Sequence, residues 1–346
     1  MVTYAAVEKI LKNNARISGA IVRSTLEGDS LESEVRAGVI INAAGPWVDA
    51  VRFLEDENAR KKLQLTKGIH VVLPRRRLPV SRTVIMYAPD KRGIFVVPHG
   101  DVVYLGTTDT FYPAAEYWPE IVRTDIDYLL SAANPYFCGE PLGYGDIEGL
   151  WAGLRPLLGE EGKKPSEISR RDEIMEGPYG LVTVAGGKLT SYRSMAQQLV
   201  DRCEEILGRK PVACRTAEEA LPGGDFAGGI EALRATLEQR GFPPLEAQRL
   251  AHLYGSEALG IGESSGLEAE IVHAVTAEGA LTLEDYWVRR SARARFDRGG
   301  GLDILHEAGR MMGTLMGWTP EACRKQIETC YALRASEIQA LGDRKE

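Results

Sequence analysis

The chain has 346 residues, of which 44% are hydrophobic and 26% are charged, a composition typical of a water-soluble protein with one or two cores. Its net charge of −7, with no evident basic face, argues against nucleic acid as a partner. Its five cysteines form no CxxC pair and no cluster with histidine, so we expect no metal site and no disulfide framework.

Two further exclusions concern membranes and secretion. No apolar run approaches the roughly 20 residues of a membrane-spanning helix. The first residues lack the charged segment and apolar core of a signal peptide. We therefore expect a cytoplasmic protein, and a peripheral contact with the membrane stays open.

The first 45 residues are predicted to form short strands. Val2–Leu11 suits a strand or a helix, whereas Ile17–Ser24 and Ser33–Asn42 are predicted strands. Within the last of these, the apolar run Gly38–Asn42 is typical of a buried parallel strand.

A turn of small residues, Ala43-Ala44-Gly45-Pro46-Trp47-Val48-Asp49, follows that strand. Small residues directly after a buried strand would let a nucleotide lie close to the backbone. The alternative is an ordinary strand-to-helix turn with Pro46 at the first helical position.

A histidine then lies in the apolar segment Leu65–Pro74, at His70. It is either a packed core residue or a residue that faces a ligand. Three strands are predicted next, at Thr83–Ala88, Gly93–Pro98 and Val102–Leu105, and these suit an antiparallel sheet beside a nucleotide-binding sheet.

The sequence Gly106-Thr107-Thr108-Asp109 closes this meander. Its polar side chains either bind a ligand or bond the local backbone. A helix is predicted at Arg123–Ala133, where it ends before Asn134-Pro135.

Arg155 lies inside the apolar run Trp151–Leu157. A buried guanidinium without a partner is costly, so we expect Arg155 to meet either an anionic ligand or a carboxylate in a structural ion pair. The next charged segment is Ser169-Arg170-Arg171-Asp172, where a solvated turn is expected and either arginine could face inward.

The most informative stretch is Gly186-Gly187-Lys188-Leu189-Thr190-Ser191-Tyr192-Arg193. A predicted strand, Leu181–Ala185, precedes it, and apolar residues at helical spacing follow it as far as Ile206. The two glycines and the start of the helix predict a site for an anion, and Lys188 and Arg193 add positive charge. The alternative is a tight turn with solvated charges. The spacing excludes a Walker loop.

After a linker at Leu221–Asp225 the rest of the chain is predicted to be helical. Two domains are therefore expected, residues 1–210 and residues 211–346. Arg289, Arg290, Arg293 and Arg295 are predicted to lie together on one helix, as an ion-pair face or as a contact surface for anionic lipid.

The ordered set of motifs, AAGPW, TKGIH, GTTD, GLRPL and GGKLTSYR followed by a helical tail, resembles the FAD-dependent glycerol-3-phosphate dehydrogenase and glycerophosphate oxidase family. This resemblance implies a mixed α/β fold. It comprises part of a Rossmann-like FAD-binding domain, which resembles D-amino-acid oxidase, an antiparallel substrate sheet and an all-α C-terminal domain. Ile69 stands where a serine is common in the family.

The resemblance also implies the reaction, the oxidation of sn-glycerol 3-phosphate to dihydroxyacetone phosphate. FAD would be the cofactor, membrane quinone the electron acceptor, and a homodimer would be compatible with the family. His70 is the candidate base or orienter, Arg155 the phosphate ligand, and Lys188 lies near substrate or flavin. Thr107 and Asp109 are expected at the substrate. The residues expected along the flavin are Ala44, Gly45, Pro46, Trp47, Gly186, Gly187, Leu189 and Thr190.

One departure from the family is large. The sequence contains no G-x-G-x-x-G after a first strand, the motif that holds the FAD pyrophosphate. We therefore expect an N-terminally truncated enzyme. Two alternatives stay open: another FAD-dependent oxidase or dehydrogenase of the same fold, and a non-catalytic remnant that acts as an interaction module.

Overall fold

The computed structural model describes residues 2–159, 172–261 and 266–342. In these ranges the strands are β1 (Ala5–Asn13), β2 (Arg16–Ser24), β3 (Glu32–Arg36), β4 (Ile41–Asn42), β5 (Leu63–Pro74), β6 (Val84–Tyr87), β7 (Gly93–His99), β8 (Val102–Gly106), β9 (Thr110–Phe111), β10 (Gly149–Leu158), β11 (Asp172–Glu176) and β12 (Val182–Gly186).

The helices in the same ranges are α1 (Val48–Glu55), α2 (Arg123–Ala133), α3 (Tyr192–Ile206), α4 (Gly229–Gln239), α5 (Pro244–Tyr254), α6 (Ala258–Ile261), α7 (Leu267–Thr276), α8 (Arg293–Phe296), α9 (Leu305–Met316) and α10 (Pro320–Ile338). A π-helical segment, Asp285–Arg290, precedes α8. Across these described residues, no helix is both long enough and apolar enough to cross a membrane.

The chain divides into two compact units. The first contains Met1–Gly68, Asp109–Pro119 and Gly153–Glu218. The second contains Ile69–Thr108, Glu120–Ala152 and Glu219–Glu346. The predicted division of the chain at residue 210 stays a prediction.

The first unit contains two small sheets. Strands β1, β2 and β3 form an antiparallel sheet. In the other sheet, of order β11-β12-β4, strands β11 and β12 are antiparallel and β12 and β4 are parallel. A cluster of apolar side chains buries the start of α1 against the strands of this unit; its members are Val48, Leu63, Leu65, Leu158 and Ala185.

In the second unit a sheet has the strand order β10-β5-β8-β7-β6, and its pairs β5–β8, β8–β7 and β7–β6 are antiparallel. Alternate residues of β5, beginning with Ile69 and Val71, are fully buried on one face, where they pack in a cluster with Leu129 of α2. Because side chains alternate along a strand, His70 projects from the opposite face. His70 is paired with Gly106 of β8.

The helical part of the second unit has its own core. Side chains of α4 to α7 pack around Leu237, Leu250 and Tyr254. The buried carboxylate of Glu270 is 2% exposed and accepts hydrogen bonds from Arg249 and from Arg293, the latter at 3.1 Å. A buried carboxylate is tolerated because these cations compensate its charge.

The predicted fold class, a mixed α/β protein with an antiparallel sheet and a helical C-terminal part, is confirmed. Helix α2 has the predicted bounds, and the predicted meander is present as β6, β7 and β8. The ambiguous first segment is strand β1.

Two local predictions were wrong. Of the predicted buried strand Gly38–Asn42, only Ile41–Asn42 is a strand, and Ile41 is 43% exposed because β4 is an edge strand of its described sheet. The four clustered arginines do not share one helix. Ala292 has a left-handed φ of 55°, which separates the π-helical segment from α8.

Candidate functional site

Two of the predicted motifs directly follow the carboxyl ends of adjacent parallel strands. Ile41 and Asn42 of β4 pair with Val182 and Thr183 of β12. The AAGPW turn follows β4, and the second glycine of GGKLTSYR directly follows β12. Ligands of open α/β sheets bind outside the carboxyl ends of the strands. The carboxyl ends of β4 and β12 in the first unit are therefore the candidate cofactor site.

The AAGPW turn is organised by a buried side chain. Asn42 is 2% exposed; its Nδ2 donates to the Val48 carbonyl at 2.9 Å, and its Oδ1 accepts from the Ala44 N–H at 3.3 Å. Gly45 has a φ of 54°, a left-handed conformation that favours glycine. Pro46 lies inside the following 3₁₀ turn, Gly45–Trp47. The turn is therefore held by hydrogen bonds and leaves small residues at the strand end.

The end of this motif is also fixed to the unit. The Trp47 ring packs on Tyr117 with centroids 4.7 Å apart. Asp49 in α1 accepts hydrogen bonds from the Lys62 and Leu63 N–H groups and from Arg52 Nη1 at 2.8 Å. These contacts join the AAGPW turn to the start of β5.

The second turn requires both of its glycines. Gly186 and Gly187 have φ of 76° and 83°. A Cβ at Gly187 would lie 2.6 Å from Met195 Sδ and 3.2 Å from Asp172 Cβ. A larger residue at Gly187 would therefore have to move the Met195 side chain and adopt a left-handed φ that favours glycine.

The residues after these glycines face solvent. Lys188, Leu189 and Thr190 are exposed, and Leu189 is 87% exposed in the 3₁₀ turn that precedes α3. The Lys188 carbonyl accepts from Ser191 Oγ at 2.8 Å. Lys188, one of the two positive charges predicted at this turn, is therefore on an exposed side chain.

Arg193 contributes its charge elsewhere. Its Nη1 donates to Thr216 Oγ1 at 3.2 Å and lies 4.0 Å from Cys214 Sγ. The hydrogen bond from Thr216 lowers the pKa of the exposed Cys214 thiol. Arg193 therefore holds the segment after α3 and is bonded to side chains of the protein itself.

Arg155 is held by a carboxylate. Its Nη1 lies 3.3 Å from Asp109 Oδ1, with the side chains 25% and 9% exposed. Of the two partners expected for Arg155, the carboxylate is present. The structure therefore brings together two of the predicted substrate residues, one from β10 and one from the GTTD turn.

A further buried cation lies in the same unit. Lys67 of β5 is 5% exposed, and its Nζ is 5.7 Å from the centroid of the Tyr112 ring. The sequence singled out the TKGIH segment for its histidine and gave no role to this lysine. It adds a buried positive charge to the part of β5 that belongs to the first unit.

His70 and Thr107 belong to the second unit. The His70 ring lies against the backbone of Gly106, where a Cβ would be 2.4 Å from His70 Cδ2 and 2.8 Å from Nε2. The ring stacks on Trp151 with centroids 4.8 Å apart and an interplanar angle of 16°. His70 is half-buried, with its ring between the Gly106 backbone and the Trp151 ring.

The two threonines of the GTTD turn bond the backbone. Thr107 Oγ1 donates to the Thr108 carbonyl at 3.2 Å, and Thr108 Oγ1 accepts from the Ile69 N–H at 3.0 Å. The buried Thr108 thus fixes the strand next to His70. Arg170 and Arg171 lie outside the described residues, so the question of which faces inward stays open.

Sequence reasoning missed three residues that shape these groups, namely Asn42, Lys67 and Trp151. Asn42 was counted only as the end of a strand, and Trp151 only as part of an apolar run. Asn42 could have been found because it is a polar residue at the end of an apolar strand, and a polar side chain buried there must be hydrogen-bonded. The partner of Trp151 is remote in sequence, so nothing local indicated it.

Comparison with known proteins agrees with these motifs. Residues 1–202 match the family described as FAD dependent oxidoreductase. Residues 214–323 match the C-terminal domain of alpha-glycerophosphate oxidase. The two matches together cover both groups of predicted site residues and most of the helical part of the chain.

Individual proteins also match over most of the chain. Aerobic glycerol-3-phosphate dehydrogenase of Staphylococcus aureus is 37% identical over 342 residues, which cover 91% of this chain and 61% of that protein. The structure of glycerol-3-phosphate dehydrogenase from Bacillus halodurans complexed with FAD is 29% identical, with a TM-score of 0.83. That match covers 99% of this chain and 71% of the Bacillus chain. This chain thus spans 61% of the length of the curated relatives.

Proposed function

The chain belongs to the family of FAD-dependent oxidoreductases, and from this we propose that it binds FAD and oxidises sn-glycerol 3-phosphate to dihydroxyacetone phosphate. The observation that supports this most directly is the parallel pairing of β4 and β12, which brings the AAGPW and GGKLT turns together at the carboxyl ends of the two strands. The similarity to glycerol-3-phosphate dehydrogenases supports sn-glycerol 3-phosphate as the proposed substrate.

The residues at these strand ends fit a flavin nucleotide. Gly45, Gly186 and Gly187 all have positive φ, a conformation that favours glycine and leaves no side chain on the backbone at these positions. Backbone of this kind can approach a planar cofactor closely and turn N–H groups toward it. We assign the contact with FAD to Ala44, Gly45, Pro46, Trp47, Gly186, Gly187, Leu189 and Thr190.

The oxidation removes a hydride from C2 of the substrate and a proton from the C2 hydroxyl. Bound FAD supplies the acceptor for the hydride. In this proposal His70 takes the hydroxyl proton, since imidazole titrates near neutral pH and its ring is held in one orientation. The Gly106 backbone and the Trp151 ring are the two groups that hold the His70 ring in this orientation.

Arg155 is proposed to bind the substrate phosphate. A planar guanidinium can bind two phosphate oxygens, and Asp109 holds it at one nitrogen. Asp109 and Thr107 would then lie at the substrate as orienting residues, and the exposed Lys188 would add positive charge near substrate or flavin.

The electron acceptor and the location belong to the same proposal. We propose quinone as the acceptor, with the protein bound peripherally at the inner face of the cytoplasmic membrane, and a homodimer as its assembly. Quinone is supported by the family resemblance of the motifs. Reduction of a short-chain quinone under nitrogen, compared with oxygen uptake in air, distinguishes the two acceptors.

A steady-state assay of the FAD-loaded protein tests the substrate. With a short-chain quinone as acceptor, we expect turnover with sn-glycerol 3-phosphate and much less with glycerol, glycine or lactate. Preference for glycine or lactate would favour another oxidase of the same fold. No turnover with any of them would favour a non-catalytic module.

Arg155→Ala tests the phosphate contact. Loss of charge-assisted hydrogen bonds should lower kcat/KM for sn-glycerol 3-phosphate by about tenfold to 10²-fold. Turnover of glycerol, which has no phosphate, should not change. Arg202→Ala is the matched control, because Arg202 is an arginine of the same unit that pairs with Glu176 and Glu205 at the surface. An equal loss in both variants would contradict the assignment.

A further inference from the structure

The imidazole of His70 lies in a cluster of rings in the second unit. It stacks on Trp151 at 4.8 Å and meets the ring of Tyr104 edge-on, with centroids 5.8 Å apart and an angle of 69°. Tyr104 and Trp151 also contact each other, at 5.4 Å. We call His70, Tyr104, Trp151 and Phe296 the His70 ring cluster.

Three groups together fix the orientation of the imidazole. The Gly106 backbone lies so close that a Cβ there would be 2.4 Å from the ring. Trp151 contributes its face and Tyr104 its edge. Aromatic pairs prefer stacked or edge-to-face arrangements. Rotation about the Cβ–Cγ bond of His70 would break its stacking contact with Trp151 and is therefore disfavoured.

The cluster includes a residue from the helical part of the chain. Phe296, the last residue of α8, meets the Trp151 ring edge-on at 5.7 Å and 80°, and it meets Tyr104 at 5.7 Å. Phe296 also packs on His99, with centroids 3.9 Å apart. The helical region thus contributes one wall of the ring cluster.

The neighbouring residue, Arg295, fastens this wall. Its guanidinium lies 6.0 Å from the centroid of Trp151, and its Nη1 donates to the Leu150 carbonyl at 3.4 Å and to Glu337 Oε1. The Arg295 and Glu337 side chains are only 11% and 7% exposed. Glu337 belongs to α10, so the contact holds two helices and strand β10 at one place.

We propose that Trp151 is the positioning residue of His70, and that Arg295 and Phe296 hold Trp151 in place. The helical C-terminal region then serves to orient the imidazole that takes the substrate proton. This consequence for catalysis rests on the proposed function, whereas the orientation of His70 by Trp151 does not.

Nuclear magnetic resonance of the histidine side chains tests the positioning without any turnover. The chain has five histidines, and His70→Gln identifies the His70 signals. Protons above the face of an indole are shifted upfield, so His70 should move downfield in Trp151→Leu and partly recover in Trp151→Phe, which keeps an aromatic face. Unchanged His70 signals in Trp151→Leu would overturn the proposal.

The control for this change is Trp318→Leu, since Trp318 is another half-buried tryptophan of the second unit, next to Gly313. It should leave the His70 signals in place. If Trp318→Leu moves them as far as Trp151→Leu does, the shift reports a general loosening and the positioning role is refuted.

Phe296→Leu tests the contribution of the helical region. It removes the ring that contacts both His99 and Trp151, so the signals of His99 and His70 should both move. Trp151→Leu should move His70 more than His99, since the Phe296 contact with His99 remains. If Phe296→Leu moves only His99, the helical region does not position His70.

Kinetics of the FAD-loaded protein then test the catalytic consequence. A misplaced proton acceptor should lower kcat by about tenfold to 10²-fold in Trp151→Leu, with KM nearly unchanged and partial rescue in Trp151→Phe. If the signals shift but kcat does not, Trp151 orients His70 without effect on catalysis. If the wild-type protein has no turnover, the proposed function fails and the spectra still decide the positioning.

Discussion

Replacement of Gly106 by alanine is the most direct perturbation of the His70 imidazole. The new Cβ would lie 2.4 Å from His70 Cδ2, about 1 Å short of the roughly 3.5 Å at which carbon atoms pack best. The ring cannot simply turn away, because Trp151 and Tyr104 occupy its other sides. Overpacking of this kind costs about 1–3 kcal/mol of stability. A displacement of this size would lower kcat by about 10²-fold.

Gly93→Ala is the matched control, because it lies in the same sheet and its Cβ would meet only Ile85 Cγ2 at 3.9 Å, an ordinary contact. Urea unfolding of both variants gives the free energies of unfolding, and the FAD-loaded proteins give kcat. We expect Gly106→Ala to lose more of both the free energy of unfolding and kcat than Gly93→Ala. Equal stabilities and rates in the two variants would refute the close approach of the His70 ring to Gly106.

Three further predictions concern stability and thiol chemistry. Asn42→Ala removes the hydrogen bonds of Asn42 to the Val48 carbonyl and from the Ala44 N–H and should lower the free energy of unfolding by about 1–3 kcal/mol in urea titrations; no change would contradict its role in the turn. Glu270→Gln removes a buried charge between two arginines and should lower the free energy of unfolding by about 3–5 kcal/mol in the same titrations. A loss below about 1 kcal/mol would contradict the stabilising role of this ion-pair network. Cys214, whose pKa is lowered by Thr216, has more thiolate at neutral pH and should react with a disulfide reagent first; Cys330, whose pKa burial raises to about 12, should react only after unfolding. Equal rates in the folded protein would contradict both assignments.

Features that depend on neighbouring residues could be predicted from the sequence. Helix α2 ends before Asn134-Pro135, as predicted. Thr282 and Asp285 form a capping box, in which the Asp285 N–H donates to Thr282 Oγ1 at 3.1 Å. Thr319 caps α10, where its Oγ1 accepts from the Ala322 N–H at 3.1 Å. Periodicity, caps and prolines are local signals, so a single sequence contains them in full.

Features that depend on remote residues could not be predicted. The sequence required a partner for Arg155 but left a ligand and a carboxylate open, and Asp109 lies 46 residues away. The exposure of Ile41 follows from the place of β4 at the edge of its sheet, which no local pattern encodes. The contact of Phe296 with Trp151 likewise depends on how the helical region folds back on the sheet of its own unit.

The roles given to the site residues stay predictions, and their grouping is what the structure adds. The parallel pairing of β4 and β12 brings the AAGPW and GGKLT turns together at the carboxyl ends of the two strands. The family resemblance implied that both turns lie along one flavin, and the strand pairing supplies the contact that makes them neighbours. Pairing of remote strands therefore turns two weak motifs into one candidate flavin site.

The visible absorption spectrum shows directly whether the chain binds FAD and oxidises sn-glycerol 3-phosphate. The full chain is incubated with FAD, freed of unbound cofactor, and then mixed with sn-glycerol 3-phosphate in the absence of oxygen. We expect flavin bands that stay with the protein and bleach on addition of this substrate but not of glycerol. A colourless protein, or bound flavin that sn-glycerol 3-phosphate does not bleach, would contradict it.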